Sequence, residues 1–352
     1  MTETGRSFLP HEAIKNGFRL ALNEAADTLG ATAPNPSVGC ALLDCKGKIL
    51  AVGAHPKAGA PHAEIVALEK ARQAGLYDRI YAALVTLEPC AHYGRTPPCA
   101  EKLRESPAQE IWIGVRDPNP QAAGGGKLLS QGAFPKKVFF LEELQVEDAD
   151  WNSLFQDCRA LALPFLTRVE KKRPWVTVKQ ALTLQGSMIP SQGQTTFTTL
   201  ASLKQAHRLR RSVDAIITGI GTVLADYPSF TVRHEEDHVG RRPRLLIVMD
   251  RHGLVPRKWK AERERDHFIV QSCSALKEAE ELMNKAGVNW AMIEAGPALL
   301  KSVEEEHFWD EWWIIQQQAS GNSDQSIVKM RDGNLRNESP LEFSLRHMRK
   351  DY

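Results

Sequence analysis

The amino-acid sequence predicts a two-domain α/β protein. Its 352 residues amount to about two domains at roughly 150 residues each. Short apolar runs of strand length alternate along it with helical stretches. A polar run, Glu170-Lys171-Lys172-Arg173, closes on Pro174 between two such alternating regions.

The first helix is read from Ile14, Phe18, Ala21, Leu22, Ala25 and Leu29, which recur at three- and four-residue steps up to a stop at Gly30. Val38 to Leu43 and Ile49 to Val52 flank Asp44-Cys45-Lys46-Gly47 and read as a β-hairpin. A helix from His62 to Ala74 follows, then strands at Ala82 to Leu87 and Ile111 to Val115. Between those strands lie a Pro/Cys-rich loop and a short helix. Gly124-Gly125-Gly126 leads into Leu128 and Leu129, and Val138 to Leu141 is a further strand. The acidic stretch after it reads as helical. Beyond Trp175, strands at 176–179, 215–218, 245–249 and 290–293 alternate with helices, which argues for a mostly parallel sheet. The expected division is a first domain at 1–145, a connecting helix or linker at 146–172, and a second domain at 173–352.

Charge and cysteine usage narrow the function classes. Lys plus Arg number 45 against 43 Asp plus Glu, a net charge of +2, so there is no basic footprint for nucleic acid or an anionic membrane. The N-terminal segment lacks the apolar core of a secretory signal, and no run of about 18 apolar residues occurs. The six cysteines are too sparse for a disulfide framework. The expectation is a cytoplasmic protein acting on a small molecule, with neither nucleic acid nor membrane as partner.

The sharpest chemical signal is His62-Ala63-Glu64, then Pro89-Cys90, then Cys99. One imidazole and two thiolates are three zinc ligands, and a fourth position left for water marks a catalytic site. Zinc brings the pKa of its water from about 15.7 to about 7. Glu64, unligated and adjacent, would take the proton and pass it to a ring nitrogen and to departing ammonia, as in zinc deaminases. Helix-start amides are expected to stabilise both Cys90 and Cys99 as thiolates. A closed structural zinc knot would need His92 or His55 as a fourth ligand; Glu64 and the proline before Cys90 argue for catalysis. Cys40, Cys45, Cys158 and Cys273 read as ordinary core or surface residues.

These residues sit in a wider pattern: Thr32-Ala-Pro-Asn35-Pro36-Ser-Val-Gly39-Cys40, Gly53-Ala-His55, Gly59-Ala-Pro-His62-Ala-Glu64, Thr86-Leu-Glu88-Pro89-Cys90-Ala-His92-Tyr-Gly94-Arg95-Thr96-Pro97-Pro98-Cys99 and Asp117-Pro118-Asn119-Pro120. The pattern resembles the deaminase half of the bifunctional riboflavin biosynthesis deaminase–reductases, across nearly all of residues 10–140. The resemblance implies a cytidine-deaminase-like three-layer domain. It also implies one zinc per chain and a phosphorylated pyrimidine substrate, 2,5-diamino-6-ribosylamino-4(3H)-pyrimidinone 5′-phosphate, which loses its 2-amino group. Asn35, His55, Arg95 and Thr96 are its expected substrate contacts.

The second region resembles the reductase half of the same family, through Arg173-Pro174-Trp-Val-Thr-Val-Lys179-Gln-Ala181, Gly219-Ile-Gly221-Thr222-Val-Leu-Ala-Asp226, Phe230-Thr-Val-Arg233 and Ile293-Glu294-Ala-Gly296-Pro297. This implies a dihydrofolate-reductase-like α/β domain that uses NADPH to reduce the ribosyl group to ribityl. By position, Ala181, Phe197, Thr222, Asp226 and the run Gly296, Pro297, Ala298, Leu299, Leu300, Lys301 and Ser302 would face NADPH. Thr195, Arg210, Arg233 and Glu294 would hold the substrate, the arginines on its phosphate. The resemblance further suggests a homo-oligomer, dimer or tetramer.

The second region also departs from the family. Gln185 and Tyr227 replace aspartates, Phe197 replaces tryptophan, and 250–294 is about twenty residues short, enough to remove a strand or helix. The tail beyond Trp309-Asp310-Glu311-Trp312-Trp313 is polar. A deaminase alone, with a degenerate reductase domain as scaffold, is therefore a second reading. An editor of nucleic-acid bases would need a basic groove with stacking aromatics, which the charge balance opposes.

Overall fold

The computed structural model describes residues 7–93, 97–132, 134–144, 149–189, 196–319 and 323–347. The described residues form two compact units, one of residues 7–28 and 35–170, the other of 29–34 and 171–347.

The first unit runs α1 (His11–Ala26), β1 (Gly39–Leu43), β2 (Ile49–Ala54), α2 (Ala63–Gln73), β3 (Ala82–Leu87), α3 (Cys99–Glu105), β4 (Glu110–Val115), α4 (Gly125–Ser130), β5 (Lys137–Phe140), α5 (Leu141–Leu144) and α6 (Ala149–Lys171). The sheet order is β2-β1-β3-β4-β5. β1 pairs antiparallel with β2 and β3, whereas β3–β4 and β4–β5 are parallel. The periodic residues of α1 from Ile14 to Ala25 are buried as expected, and the helix ends at Ala26, before Gly30.

Register assigns each helix to a face of the sheet. Cys40 pairs with Val85 and Val85 with Ile113. Their side chains form one core with Ala67, Leu68, Ala100, Leu103 and Leu129, from α2, α3 and α4. Gly39 and Gly114 precede and follow those positions and so lie on the other face. A Cβ at Gly39 would sit 2.0 Å from the Ala21 carbonyl oxygen of α1, and one at Gly114 2.7 Å from Cys158 Sγ of α6. Two helical layers therefore sandwich the sheet, which explains why β3 and β4 are buried along their whole length. Further contacts seat α6: Trp112 stacks on Trp151 with ring centroids 5.9 Å apart, and Lys15 Nζ lies 3.3 Å from Asp150 Oδ2.

The second unit contains β6 (Trp175–Leu182), α7 (Leu200–Ser212), β7 (Ala215–Gly219), α8 (Ile220–Asp226), β8 (Arg244–Met249), α9 (Arg257–Arg265), β9 (Phe268–Cys273), α10 (Leu276–Ala286), β10 (Trp290–Ile293), α11 (Pro297–Glu305), β11 (Glu311–Gln317), β12 (Asp324–Met330) and α12 (Pro340–Arg346). Its sheet order is β12-β11-β6-β10-β7-β8-β9. Every pairing is parallel except β11–β12. The chain lays β7, β8 and β9 outward, then returns to insert β10 between β6 and β7, a reversal of strand order of the kind that opens a crevice at the carboxyl ends of the strands.

The segment 250–294 keeps two helices and two strands, α9, β9, α10 and β10, despite its shortness. Trp312 and Trp313 are buried core residues of β11. Gln185 is exposed at a tight turn in which the Gly186 amide donates to the Thr183 carbonyl at 2.9 Å, with Gly186 at φ +78°.

The sheet contact of α6 gives a direct test. Gly114→Val would drive side-chain atoms into the Thr86 carbonyl and Cys158, and overpacking of this kind costs about 1–3 kcal/mol. The urea midpoint is expected to fall accordingly, with Gly114→Ala falling less.

Candidate active site

Three elements of the first unit bring one cluster together. His62 caps α2 in an extended conformation, Cys90 lies in the loop after β3, and Cys99 opens α3. His62 Nδ1 is 3.4 Å from Cys99 Sγ and 3.8 Å from Cys90 Sγ. The three ligand atoms all lie within 4.8 Å of one another. One imidazole nitrogen and two sulfurs at that spacing fit zinc with a position left open.

The loop carrying Cys90 is fixed from both sides. Glu88 is buried, and its carboxylate accepts the amides of Asp117 at 3.2 Å and Gly126 at 2.9 Å. The Cys99 amide donates to Cys90 Sγ at 3.4 Å, and the Ala100 amide to the Cys90 carbonyl at 3.2 Å. Only Cys99 begins a helix; Cys90 instead takes its amide from the first turn of α3. The Cys99 thiol, with His62 beside it, draws the Cys90 thiol down to about 4. The same pairing, together with burial, pushes Cys99 up, and the contact with Cys90 raises His62.

Glu64, in the first turn of α2, is 3% exposed, and burial raises its carboxyl above the usual range. It lines a cavity of about 120 Å³ with His62, Cys90, Asn35, His55 and Phe165, among others. His55 Nδ1 donates to the Pro61 carbonyl at 3.0 Å, so its Nε2 accepts from Asn35 Nδ2 at 3.2 Å. Burial, which lowers the His55 pKa, keeps that ring neutral. Two expected contacts, Arg95 and Thr96, lie outside the described residues.

The sequence pattern gave no site role to Asp117, Asn119 or Phe165, and offered His92 only as a fourth ligand of a structural zinc; all four also line the cavity. Asp117 and Asn119 were visible as an Asp-Pro-Asn-Pro motif following β4, at the same sheet edge as the Cys90 loop. Phe165 carried no signal: it comes from α6, which the pattern marked only as a connector.

In the second unit, the strand-order reversal gathers charge. Lys179 of β6 lies with its Nζ 2.7 Å from Glu294 Oε1, just beyond β10. Arg210, in the last turn of α7, grips the same carboxylate with Nη2 at 2.8 Å and Nε at 3.0 Å. Against the burial that would raise it, Arg210 and Lys179 hold the Glu294 carboxyl well below the usual range. Arg210 and Glu294, expected side by side on a substrate, are thus tied to each other. Arg233 is exposed and donates to Ser229 Oγ and Thr231 Oγ1. Thr195 lies outside the described residues.

The residues expected to face a cofactor are spread along the carboxyl edge of this sheet. Ala181 is near the end of β6, Phe197 is half-buried before α7, and Thr222 and exposed Asp226 belong to α8. The Gly296 amide, at the cap of α11, donates to Thr222 Oγ1 at 3.1 Å and so ties the starts of α8 and α11. The first-turn amides of Ala298 and Leu299 lack intrahelical partners, and an N-terminus of this kind suits the pyrophosphate of NADPH. Leu300 is a correction: its side chain is 3% exposed and packs in the core, one helical turn round from open space. Lys301 and Ser302 follow it along α11, Lys301 with its Nζ 3.8 Å from Glu305.

Known proteins match both units. Residues 11–115 match the cytidine and deoxycytidylate deaminase zinc-binding region, and residues 174–317 the RibD C-terminal domain. The riboflavin biosynthesis protein RibD of Aquifex aeolicus is 34% identical, over 85% of this chain and 85% of its own length. That of Escherichia coli is 35% identical over 80% and 81%. A Thermotoga maritima structure, a diaminohydroxyphosphoribosylaminopyrimidine deaminase/5-amino-6-(5-phosphoribosylamino)uracil reductase, superposes with a TM-score of 0.73 at 28% identity, over 87% of each chain. Acinetobacter baumannii RibD does so at 0.69 and 29% identity, again over 87% of each.

The donor cluster predicts one zinc per chain by elemental analysis. Removing a ligand as Cys99→Ala is expected to weaken zinc binding by more than about 100-fold, beyond the loss usual for outer-shell changes.

Proposed function

The chain belongs to the family of bifunctional riboflavin biosynthesis deaminase–reductases, and from that premise we propose how its own residues divide the two steps. The protein is an enzyme with a cytidine-deaminase-like zinc domain and a RibD-type reductase domain. Its first reaction is hydrolytic deamination of 2,5-diamino-6-ribosylamino-4(3H)-pyrimidinone 5′-phosphate. Its second is reduction of the ribosyl group of the product.

In the first step His62, Cys90 and Cys99 hold zinc, which when bound supplies the Lewis acidity that makes water a nucleophile at neutral pH. Glu64 moves the proton. Its carboxylate would accept one proton from the attacking water and pass it to the pyrimidine ring nitrogen, then accept a second from the new C–OH group and pass it to the departing ammonia. Burial suits Glu64 to this cycle, because a raised pKa narrows the gap between its two protonation states near neutrality. Asn35 and neutral His55, already hydrogen-bonded to one another, orient the pyrimidine. Phe165 closes the cavity with an apolar ring.

In the second step NADPH, when bound, supplies hydride to the opened ribose. Ala181, Phe197, Thr222, Asp226 and the first turn of α11 hold it at the carboxyl edge of the second sheet. Arg210 and Arg233 bind the substrate's phosphate. Glu294 restrains Arg210 and Lys179 so that neither cation has to be ordered when substrate arrives.

We also read the enzyme as a cytoplasmic homo-oligomer, dimer or tetramer, whose partners are its small-molecule ligands. The balanced charge and six free cysteines support that setting. No helix among the described residues is long and apolar enough to cross a membrane.

The convergence of one imidazole, two thiols and a buried carboxyl on a single cavity carries this reading. Glu64→Gln tests it: ammonia release is expected to fall by about 10²- to 10⁴-fold with zinc content unchanged. Retained turnover would remove Glu64 from the chemistry, and lost zinc would make it a structural residue instead.

A further inference from the structure

We propose that His207 is a substrate-binding residue of the reductase half, its Nε2–H and the Arg210 guanidinium together receiving one oxygen of the substrate's phosphate. This rests on the reductase reading above and adds to it a residue outside the charged set.

One hydrogen bond fixes the tautomer of His207. The Arg233 backbone amide, which can only donate, lies 2.9 Å from His207 Nδ1. That nitrogen must be the acceptor, so the ring is neutral and its proton is on Nε2. Arg210, Arg233 and His234 surround the ring with Glu294 opposing them, and burial together with these cations holds the imidazole down to about 3.

Nε2–H then faces the wrong partner. Its one polar neighbour within hydrogen-bond distance among the described residues is Arg210 Nη1, at 3.4 Å, and a guanidinium has no lone pair to offer. Two donors thus converge with no acceptor between them. His207 is 2% exposed, and a buried donor left without an acceptor is costly. Arg210 cannot swing away, since Nε and Nη2 are held by Glu294 and Nη1 also reaches the Thr231 carbonyl at 3.3 Å.

The surrounding loop is built to keep this arrangement. Phe230 sits at φ +57°, an uncommon conformation for a bulky residue, and is buried. Its ring packs edge-on against Trp259, with centroids 6.5 Å apart. Trp259 Nε1 and Arg263 Nη1 each donate to the Pro228 carbonyl at 2.9 Å. The loop therefore delivers the Arg233 amide to His207 from a fixed direction. An oxygen with several lone pairs and a negative charge could accept from both Nε2–H and Nη1, and the terminal phosphate of the substrate provides one.

Steady-state NADPH oxidation by the full-length enzyme tests this with His207→Leu and His207→Gln. The leucine variant is expected to raise the KM for the phosphorylated substrate and the Ki of inorganic phosphate by about tenfold or more, as for a lost hydrogen bond to a charged group. Its KM for NADPH should not move. Glutamine, whose amide offers an acceptor and a donor, should restore most of both. An unchanged KM and Ki, with only kcat or Tm lowered, would overturn the proposal by making His207 a purely structural support. Should the wild-type enzyme not oxidise NADPH, the reductase reading fails, and the inference is decided by long-range ¹H–¹⁵N spectra of the His207 ring. A proton on Nε2 and a shift on adding inorganic phosphate support it; a proton on Nδ1, or no shift, overturns it.

Discussion

Three side chains from separate elements must meet at one point, and the first unit is organised around that demand. His62, Cys90 and Cys99 lie 28 and 9 residues apart along the chain, so no local preference brings them within 4.8 Å of one another. The parallel pairing of β3 with β4 places two loops at one sheet edge, and buried Glu88 ties those loops together through the Asp117 and Gly126 amides. The first turns of α2 and α3 then supply His62 and Cys99 from the same side. Glu64 follows from helical geometry, two residues beyond the imidazole and still in a first turn that faces the cavity.

The second unit is arranged around a single carboxylate. Glu294 emerges where the inserted strand β10 ends, and it receives Lys179 from β6 and Arg210 from α7. Such a half-buried triad contributes little net stability, because desolvation offsets attraction. Its consequence is positional. Two cations are held at the carboxyl edge of the sheet, where an anionic ligand would meet them already in place. Two of the departures from the family are solvent-exposed: Gln185 is at a turn after β6, and Tyr227 lies just past α8. Matches through both regions give no support to a deaminase accompanied by an inert scaffold.

Much of this was legible in the sequence where the signal was local. The helix face from Ile14 to Ala25, the hairpin about Asp44-Cys45-Lys46-Gly47, and the mostly apolar strands β3, β4, β7 and β8 stand where periodicity puts them. The zinc ligands and Glu64 were legible because two short motifs hold all four. The edge strands of the second sheet were not. β9 and β12 carry exposed polar residues at several positions, which hides the alternation of a half-buried strand. β11 begins with Glu311, a residue that reads as a loop until its burial is known. Phe165 was invisible for a different reason, since its helix reaches the cavity only through the close approach allowed by Gly114 and by other contacts distant in sequence. The pairing of Arg210 with Glu294 spans 84 residues, and only the insertion of β10 between β6 and β7 makes it.

The account joins two chemistries in one chain, and stoichiometry tests that union most directly. The purified protein would be given the diamino substrate and NADPH, with no second enzyme, while ammonia and NADPH are followed together. One ammonia released and one NADPH oxidised per substrate consumed are expected, with ammonia appearing first. Ammonia release without NADPH oxidation would contradict it, and would leave the charged cluster about Glu294 without the role assigned to it.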